Sequence, residues 1–418
     1  MRNYLNQIDV KKCEEVIPTN QIIKQISKDK EVPTLYKLKN YNFPIVSGLI
    51  SSRELFATAL GIKKDQIISF ITDKLDKLEK PSKIDKAEFL ANKIDVNQNT
   101  DLEKYIPMIN FYGDKKYVTS SIIIVKFPDE NRQNMSFHRL MYLGANKFAI
   151  RIVPQRHLDK AYLNAMEHDI ELEIAIVCGV HPAIEICASF SAPQLDELSL
   201  ASTFLKDLKI FRLSNGLLVP FKAEFVFEGR ITKEMADEGP FVDLTGTADI
   251  IRSQPILEID KLYFKNNPIF RTILPGAQEH KILMGVPQEP RMFTFISNTV
   301  STVKNVILTT GGNSWFHAVV QIKKRTEGDA KNTILAALAA HPSLKRVIVV
   351  DEDINIYDSD DVEWAVATRV QPDKDILLIP NSKGSSLDPS SKNSITCKWG
   401  IDATKPLENN EGYNRVEF

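Results

Sequence analysis

What this chain lacks bounds it before any motif is read. It holds only four cysteines in 418 residues, Cys13, Cys178, Cys187 and Cys397, and no two form a C-x-x-C pair. That scatter argues against a disulfide scaffold and a cysteine-rich zinc site, and a reducing, cytoplasmic setting is the simpler expectation. No stretch approaches ~18 continuous apolar residues. The opening Met1-Arg2-Asn3-Tyr4-Leu5-Asn6-Gln7 breaks with polar residues the run that a signal peptide needs. Neither export nor membrane spanning is expected. A charge excess is missing too, since Lys+Arg 53 against Asp+Glu 54 leaves a formal net charge of -1. With no global field for nucleic acid or an anionic membrane, any anion has to be gripped by a local site. Several signatures are also absent: the G-x-x-x-x-G-K-[ST] phosphate loop, the G-x-G-x-x-G dinucleotide turn, the H-E-x-x-H zinc helix and the G-x-S-x-G elbow.

What is present describes a globular chain, 43% apolar and 26% charged. A single core rarely grows past ~250 to 300 residues, so two or three domains are expected. Residues 1–115 read as an N-terminal α/β domain, in which Leu55, Leu60, Ile62, Ile67, Ile68 and Ile71 recur at helical spacing within residues 51–75. The turn Gly113-Asp114-Lys115-Lys116 closes this part. Residues 116–300 are β-rich, with strands expected over 120–127, 147–153, 171–180, 217–229 and 256–265 and helices over 158–168 and 194–205. A barrel-like domain with helical insertions is the reading. Residues 301–418 alternate strands (304–309, 316–322, 346–350, 375–379) with helices (329–340, 359–369), which implies a parallel sheet covered by helices. From Pro380 onward the composition predicts an irregular tail.

Polar residues crowd where a β-rich core should be apolar. The run Asn131-Arg132-Gln133-Asn134-Met135-Ser136-Phe137-His138-Arg139 is followed by Arg151-Ile152-Val153-Pro154-Gln155-Arg156-His157. Arginine forks suit phosphate or carboxylate, while asparagine and histidine can both ligate a metal. The two segments form either an anion-plus-metal pocket or a solvated basic loop with a satisfied histidine. Ala192-Pro193-Gln194-Leu195-Asp196-Glu197 opens a helix with acids where the helix dipole favours them in any case. Glu238 and Asp243 stand five apart across the Gly239-Pro240 turn, at a rim where partial burial would let one carboxyl carry a proton. Asp351-Glu352-Asp353 ends a strand and reads either as a metal site or as solvated carboxylates.

Taken in order, these segments resemble the UbiD family of prenylated-FMN-dependent decarboxylases. The resemblance runs from about Ser51 to Lys398-Trp399-Gly400-Ile401-Asp402-Ala403-Thr404-Lys405. It is carried by Asn134 to Arg139 (the family's N-x-x-x-x-R), the Arg151 to His157 segment, Asp196-Glu197, Val219-Pro220 with Glu228-Gly229, Glu238-Gly239-Pro240-Phe241, Thr245-Gly246 and Leu274-Pro275-Gly276. It implies an α/β multidomain fold, a central split β-barrel that binds prenylated FMN between N- and C-terminal α/β domains. By motif position, Asn134, His157 and Glu197 would ligate a divalent ion, usually manganese. Phe137, His138, Arg139, Arg151, Ile152, Val153, Arg156 and His157 would lie on flavin-contacting segments, and a potassium ion held by carbonyl groups is usual. Arg139, Glu238 and Asp243 match the catalytic triad, with Asp rather than Glu at the acid position.

The resemblance further implies non-oxidative decarboxylation of a small α,β-unsaturated carboxylic acid, a flavin prenyltransferase as cofactor supplier, and a homo-oligomer. The compact length and the Ser136-Phe137-His138-Arg139 version of the motif look like the archaeal branch, which includes decarboxylases of trans-anhydromevalonate 5-phosphate that form isopentenyl phosphate in isoprenoid biosynthesis. An aromatic or acrylic acid is the alternative substrate. Alternatives of another class are a non-catalytic flavin- or metal-binding homologue and a metal-dependent hydrolase built on Asn134, His157 and Glu197.

Overall fold

The computed structural model describes residues 1–418 except 128, 129, 131, 191–194, 409, 417 and 418. The sequence readings on Asn131, Ala192, Pro193 and Gln194 fall outside the described residues. The chain forms two compact units, one of residues 1–64 and 74–283 and one of residues 65–73 and 284–418.

The first unit is organised by a wholly antiparallel ten-stranded sheet. Its central pair, Phe225–Glu238 against Arg252–Phe264, runs 14 and 13 residues, more than twice the usual strand length of ~5 to 6. Leu172–Cys178 and then Ile122–Lys126 and Gln133–Phe137 follow on one side of that pair. Lys147–Ile150, Leu140–Gly144, Lys115–Val118 and Ile109–Tyr112 follow on the other. Among the described residues the two outermost strands do not pair with each other, so the barrel is split. Phe148, Ile174, Ile176, Phe227, Leu257 and Ile259 share one core.

The strand expected at 217–229 is divided between Leu218–Pro220 and the start of Phe225–Glu238, which extends well past it, and the strand expected at 256–265 begins earlier, at Arg252. Hydrophobic runs mark a strand only while it is buried, and the extension through Lys233 and Glu234 is exposed. Residues 51–75 form two helices, Arg53–Ala59 and Ile67–Leu75, the first capped by Ser52 Oγ accepting from Leu55 N. The expected helices at 158–168 and 194–205 are His157–Glu167 and Glu197–Phe204. A smaller sheet joins Lys11–Ile17, Thr34–Leu38 and Pro44–Ser47 to the distant Phe270–Arg271.

The second unit contains a five-stranded sheet ordered Val303–Leu308, His317–Ile322, Arg346–Asp351, Ile395–Ala403, Ile376–Lys383. It is mixed rather than parallel: its two outer pairings are antiparallel and its two inner ones parallel. The first correction follows from loop length, since the short turn Thr310–Gly312 leaves no room for the crossover that parallel neighbours require. The second concerns the tail, which is not irregular throughout, because Ile395–Ala403 lies inside the sheet. Alternation along the strands serves two cores. Val306, Val320, Val347 and Val349 pack with Ile334, while Ile307, Val319, Ile348 and Val350 pack with Val362 and Ala365. Among the described residues no helix is long and apolar enough to cross a membrane.

The close approach of the two long strands depends on Gly229, where an added Cβ would lie 2.1 Å from the Glu258 carbonyl oxygen. Backbone cannot yield as a side-chain tip does. Gly229→Ala is expected to lower the unfolding free energy by about 1–3 kcal/mol, measured by urea denaturation; an unchanged midpoint would show that the strands tolerate separation.

Candidate active site

Two side-chain clusters lie at the two ends of the segment 134–139. At the first, Asn134 is 2% exposed on Gln133–Phe137. Its Nδ2 donates to Glu197 Oε1 at 2.9 Å and lies 3.2 Å from His157 Nδ1. Glu197 Oε2 accepts from Met135 N at 3.2 Å, and its Oε1 is 4.0 Å from His157 Nδ1. Both partners begin helices, Glu197–Phe204 and His157–Glu167. Burial pushes the Glu197 carboxyl up to about 8, against backbone N–H groups that pull it down. Burial and the cations Arg132, Lys160 and Arg156 hold His157 below its ordinary value, so the imidazole is neutral near pH 7.

Among the described residues no three His, Cys, Asp or Glu side chains converge on a metal position, and this trio includes an amide instead. It nevertheless suits a divalent cation. One buried carboxyl, which a bound cation would strip of its proton, one neutral imidazole and one amide supply oxygen and nitrogen donors with no permanent positive charge among them. The amide of Asn134 presents either nitrogen or oxygen on rotation by half a turn.

The second cluster forms where Glu238 ends its long strand. Arg139 Nε and Nη2 donate to Glu238 Oε1 and Oε2 at 2.8 and 2.9 Å, and Nη1 reaches Asp243 Oδ2 at 3.4 Å. Glu238 is fully buried and also accepts from Tyr117 Oη at 3.2 Å. The Phe241 ring lies 4.4 Å from the guanidinium carbon. A two-strand hairpin, Phe241–Val242 with Ala248–Asp249, carries Asp243 at its turn, where Gly246 N donates to the Asp243 carbonyl. Leu274-Pro275-Gly276 presses on that turn: a Cβ at Gly276 would sit 2.8 Å from the Asp243 carbonyl oxygen. Arg139, Glu238, Asp243 and Gly276, far apart in the sequence, thus meet in one place.

The cofactor-assigned residues divide. His138 is held by the Arg151 carbonyl at 2.8 Å and by Ser136 Oγ at 3.1 Å, and burial pushes it down to about 4, so it is neutral. Arg151 donates to the Ile152 carbonyl, and Ile152 N donates to Gln254 Oε1. Phe137 is half-buried between Ser136 and His138, whereas Val153 and Arg156 are exposed at the turn into His157–Glu167. Asp351 and Asp353 are not a metal site: buried Arg369 pairs with both at 3.1 and 2.7 Å, and Lys405 adds a second cation to Asp353.

Sequence reasoning missed Tyr117, Asp249 and His280. Asp249 Oδ2 accepts from Arg139 Nη2 at 3.0 Å, and its Oδ1 pairs with Arg252 at 2.6 Å. Burial opposes its ionisation, but Arg252 and Arg139 hold it below the usual carboxylate range. His280 Nδ1 accepts from Gly276 N at 3.0 Å, and burial holds the ring below its ordinary value against the Asp243 charge. The hairpin spacing that pairs Phe241 with Asp249 was the only available signal, and it requires knowing the turn.

Residues 82–278 match the family model described as 3-octaprenyl-4-hydroxybenzoate carboxy-lyase Rift-related domain, and residues 281–403 match its C-terminal domain. The anhydromevalonate phosphate decarboxylase of Methanocaldococcus jannaschii is 47% identical, covering 100% of this chain and 98% of that one. Its counterpart in Methanothermobacter thermautotrophicus is 39% identical, covering 100% and 99%. The UbiD-class enzyme HmfF from Pelotomaculum thermopropionicum, solved in complex with FMN, superposes with a TM-score of 0.96 at 32% identity, covering 100% and 97%. With the motif residues converging and relatives matching end to end, the chain belongs to the UbiD family of carboxy-lyases.

Proposed function

We propose that this protein decarboxylates trans-anhydromevalonate 5-phosphate to isopentenyl phosphate, a step of an archaeal mevalonate pathway, using prenylated FMN and a divalent metal. The observation that carries the reading is Arg139 locked by Glu238 and reaching Asp243, a carboxylate-binding cation beside a more accessible acid. The choice of substrate is supported by the relatives. Anhydromevalonate phosphate decarboxylases reach 47% identity over the whole chain, against 31% over 88% of it for the phenolic acid decarboxylase of Bacillus subtilis.

Prenylated FMN, when bound, would supply a dipolar carbon for the substrate double bond and a sink for the electrons left when carbon dioxide departs. The chain's own residues do the rest. Arg139 orients the substrate carboxylate through its N–H fork. Glu238, fully buried, keeps that fork aligned with two hydrogen bonds. Asp243 is 22% exposed and touches Arg139 only at 3.4 Å, so it is the carboxyl placed to take a proton from solvent and deliver it to the carbon that lost carbon dioxide. Asn134, His157 and Glu197 would hold manganese, whose charge would bind the cofactor phosphate. Phe137, His138, Arg151, Ile152, Val153, Arg156 and His157 would line the flavin, and backbone carbonyls would take potassium. A flavin prenyltransferase as supplier, a homo-oligomeric state and a cytoplasmic location belong to the same reading. So does the division into residues 1–115, a flavin-binding 116–300 and 301–418.

Protein co-expressed with a flavin prenyltransferase is expected to purify with a modified flavin and manganese and to release one carbon dioxide per isopentenyl phosphate, with an aromatic acrylate left untouched. Ester or phosphate hydrolysis by flavin-free protein would instead support the metal-hydrolase alternative. Asp243→Asn and Glu238→Gln should each lower kcat by about 10²-fold or more with flavin absorbance retained, and full activity of the Asp243 variant would remove it from proton delivery. Glu197→Ala should lose manganese by elemental analysis and flavin by absorbance, an outcome that the other two variants should not share.

A further inference from the structure

Arg139 already holds more carboxylate than a substrate-binding arginine can keep. A guanidinium has five N–H groups. Nε and Nη2 serve Glu238, Nη2 also serves Asp249 at 3.0 Å, and Nη1 serves Asp243 at 3.4 Å. That leaves one N–H, on Nη1, whereas a carboxylate gripped by the fork takes two. The Phe241 ring at 4.4 Å lies over the guanidinium, so the planar edges are where an acid has to bind. One resident carboxylate has to yield.

The partners of each carboxylate decide which one. Glu238 is wholly buried, binds the guanidinium twice and accepts from Tyr117, so its departure would strand a charge in the core. Among the described residues Asp243 has no second cation: the other contact of its carboxylate is Oδ1 with the backbone N–H of Leu244 at 2.6 Å. Asp249 differs from both. Its Oδ1 already pairs with Arg252 at 2.6 Å and accepts from Ile250 N at 2.9 Å, so losing Arg139 leaves its charge compensated. It sits on Ala248–Asp249, a two-residue strand held by a single partner strand, where a small shift disturbs little else. Arg252 itself is anchored by Nη1 donating to the Ile250 carbonyl at 3.2 Å.

We propose that Asp249 stands in for the substrate carboxylate on Arg139 in the free enzyme and passes to Arg252 when the acid binds. Asp249 and Arg252 are then positioning residues that set how readily Arg139 is surrendered, and the exchange frees the second N–H that a carboxylate needs. The inference rests on the decarboxylase reading above and goes beyond it by naming what the acid displaces. It also explains how a guanidinium kept charged and rigid among anions stays available to another one.

The exchange predicts effects of opposite sign from its two partners. The probe is 3-methylbutanoate, a saturated acid that cannot be decarboxylated, titrated calorimetrically into the cofactor-loaded enzyme, alongside kcat and KM for the phosphorylated acid. Asp249→Asn removes the competitor and should tighten the Kd of the probe at least threefold and lower KM. Arg252→Gln removes the alternative partner, fixes Asp249 on Arg139, and should weaken the Kd at least threefold with KM raised. A merely structural role would lower the melting temperature or kcat of both variants without splitting their affinities. Unchanged or weakened affinity in Asp249→Asn overturns the proposal; should that variant fail to fold, an unchanged or tightened Kd in Arg252→Gln does the same. Where the wild-type enzyme decarboxylates and the variants do not split, only the exchange falls. A loaded wild-type enzyme that neither binds the probe nor decarboxylates removes the decarboxylase reading and the exchange with it.

Discussion

The first unit closes around a wholly buried arginine. Arg271 has no exposed atoms and lies between Glu185 and Glu279, both almost without solvent contact, with Nε to Glu185 at 3.1 Å and Nη2 to Glu279 at 2.5 Å. Burial alone would drive the guanidinium toward neutrality, yet the two carboxylates hold it above its ordinary value. Breaking such a cluster by removing one member costs about 3–5 kcal/mol, because it leaves a charge buried and unpaired. The cluster therefore specifies one arrangement of the elements that meet there. Glu279 also accepts from Gly48 N and Ile50 N, and Glu31 accepts from the N–H groups of Gln278 and Glu279 at the start of the helix Gln278–Gly285.

From that point two lines lead to the two candidate clusters. Glu185 belongs to Pro182–Ala188, which packs on Glu197–Phe204 and so fixes where the buried Glu197 meets Asn134. Glu279 is followed by His280, whose ring takes the Gly276 N–H beneath the Asp243 turn. Arginine serves in both places for one reason. A planar fork that cannot lose its proton in a protein can align two carboxylates at fixed angles, where a lysine would offer a point charge. The near-zero net charge of the chain is compatible with such anion chemistry because the cations that matter here, Arg139, Arg252 and Arg271, act locally.

The parts legible in the sequence were those carried by dense local signals. Runs of Val, Ile and Phe located the buried strands, and the polar segment Asn134 to Arg139 stood out because a β-rich core should be apolar there. The ordered motifs then linked Arg139 to Glu238, about a hundred residues away. What stayed hidden depends on pairing. The long central strands outrun their hydrophobic signal, and Ile395–Ala403 enters its sheet although its neighbours in sequence read as an irregular tail. Asp351 and Asp353 offered two readings that only the position of Arg369, on another element, could separate. Tyr117 and His280 likewise approach the site from segments with no motif of their own.

The proposed acid position shows how backbone placement can answer a side-chain change. Asp243 is one methylene shorter than the glutamate also found at this position in the family, so its carboxyl sits closer to its own backbone. The backbone there is held by several contacts at once: Asp243 N donates to the Thr247 carbonyl, Gly246 N donates back, and the turn at Gly276 closes against the Asp243 carbonyl. Gly276 has φ +68°, in the left-handed region that favours glycine, and a side chain there would force the turn outward. A short acid on a well-anchored turn loses reach but also loses rotational freedom, which places its carboxyl in a narrower range of positions. Under the proposed function, such a donor would suit a small substrate brought to it by Arg139 more than a bulky one to which the acid has to extend.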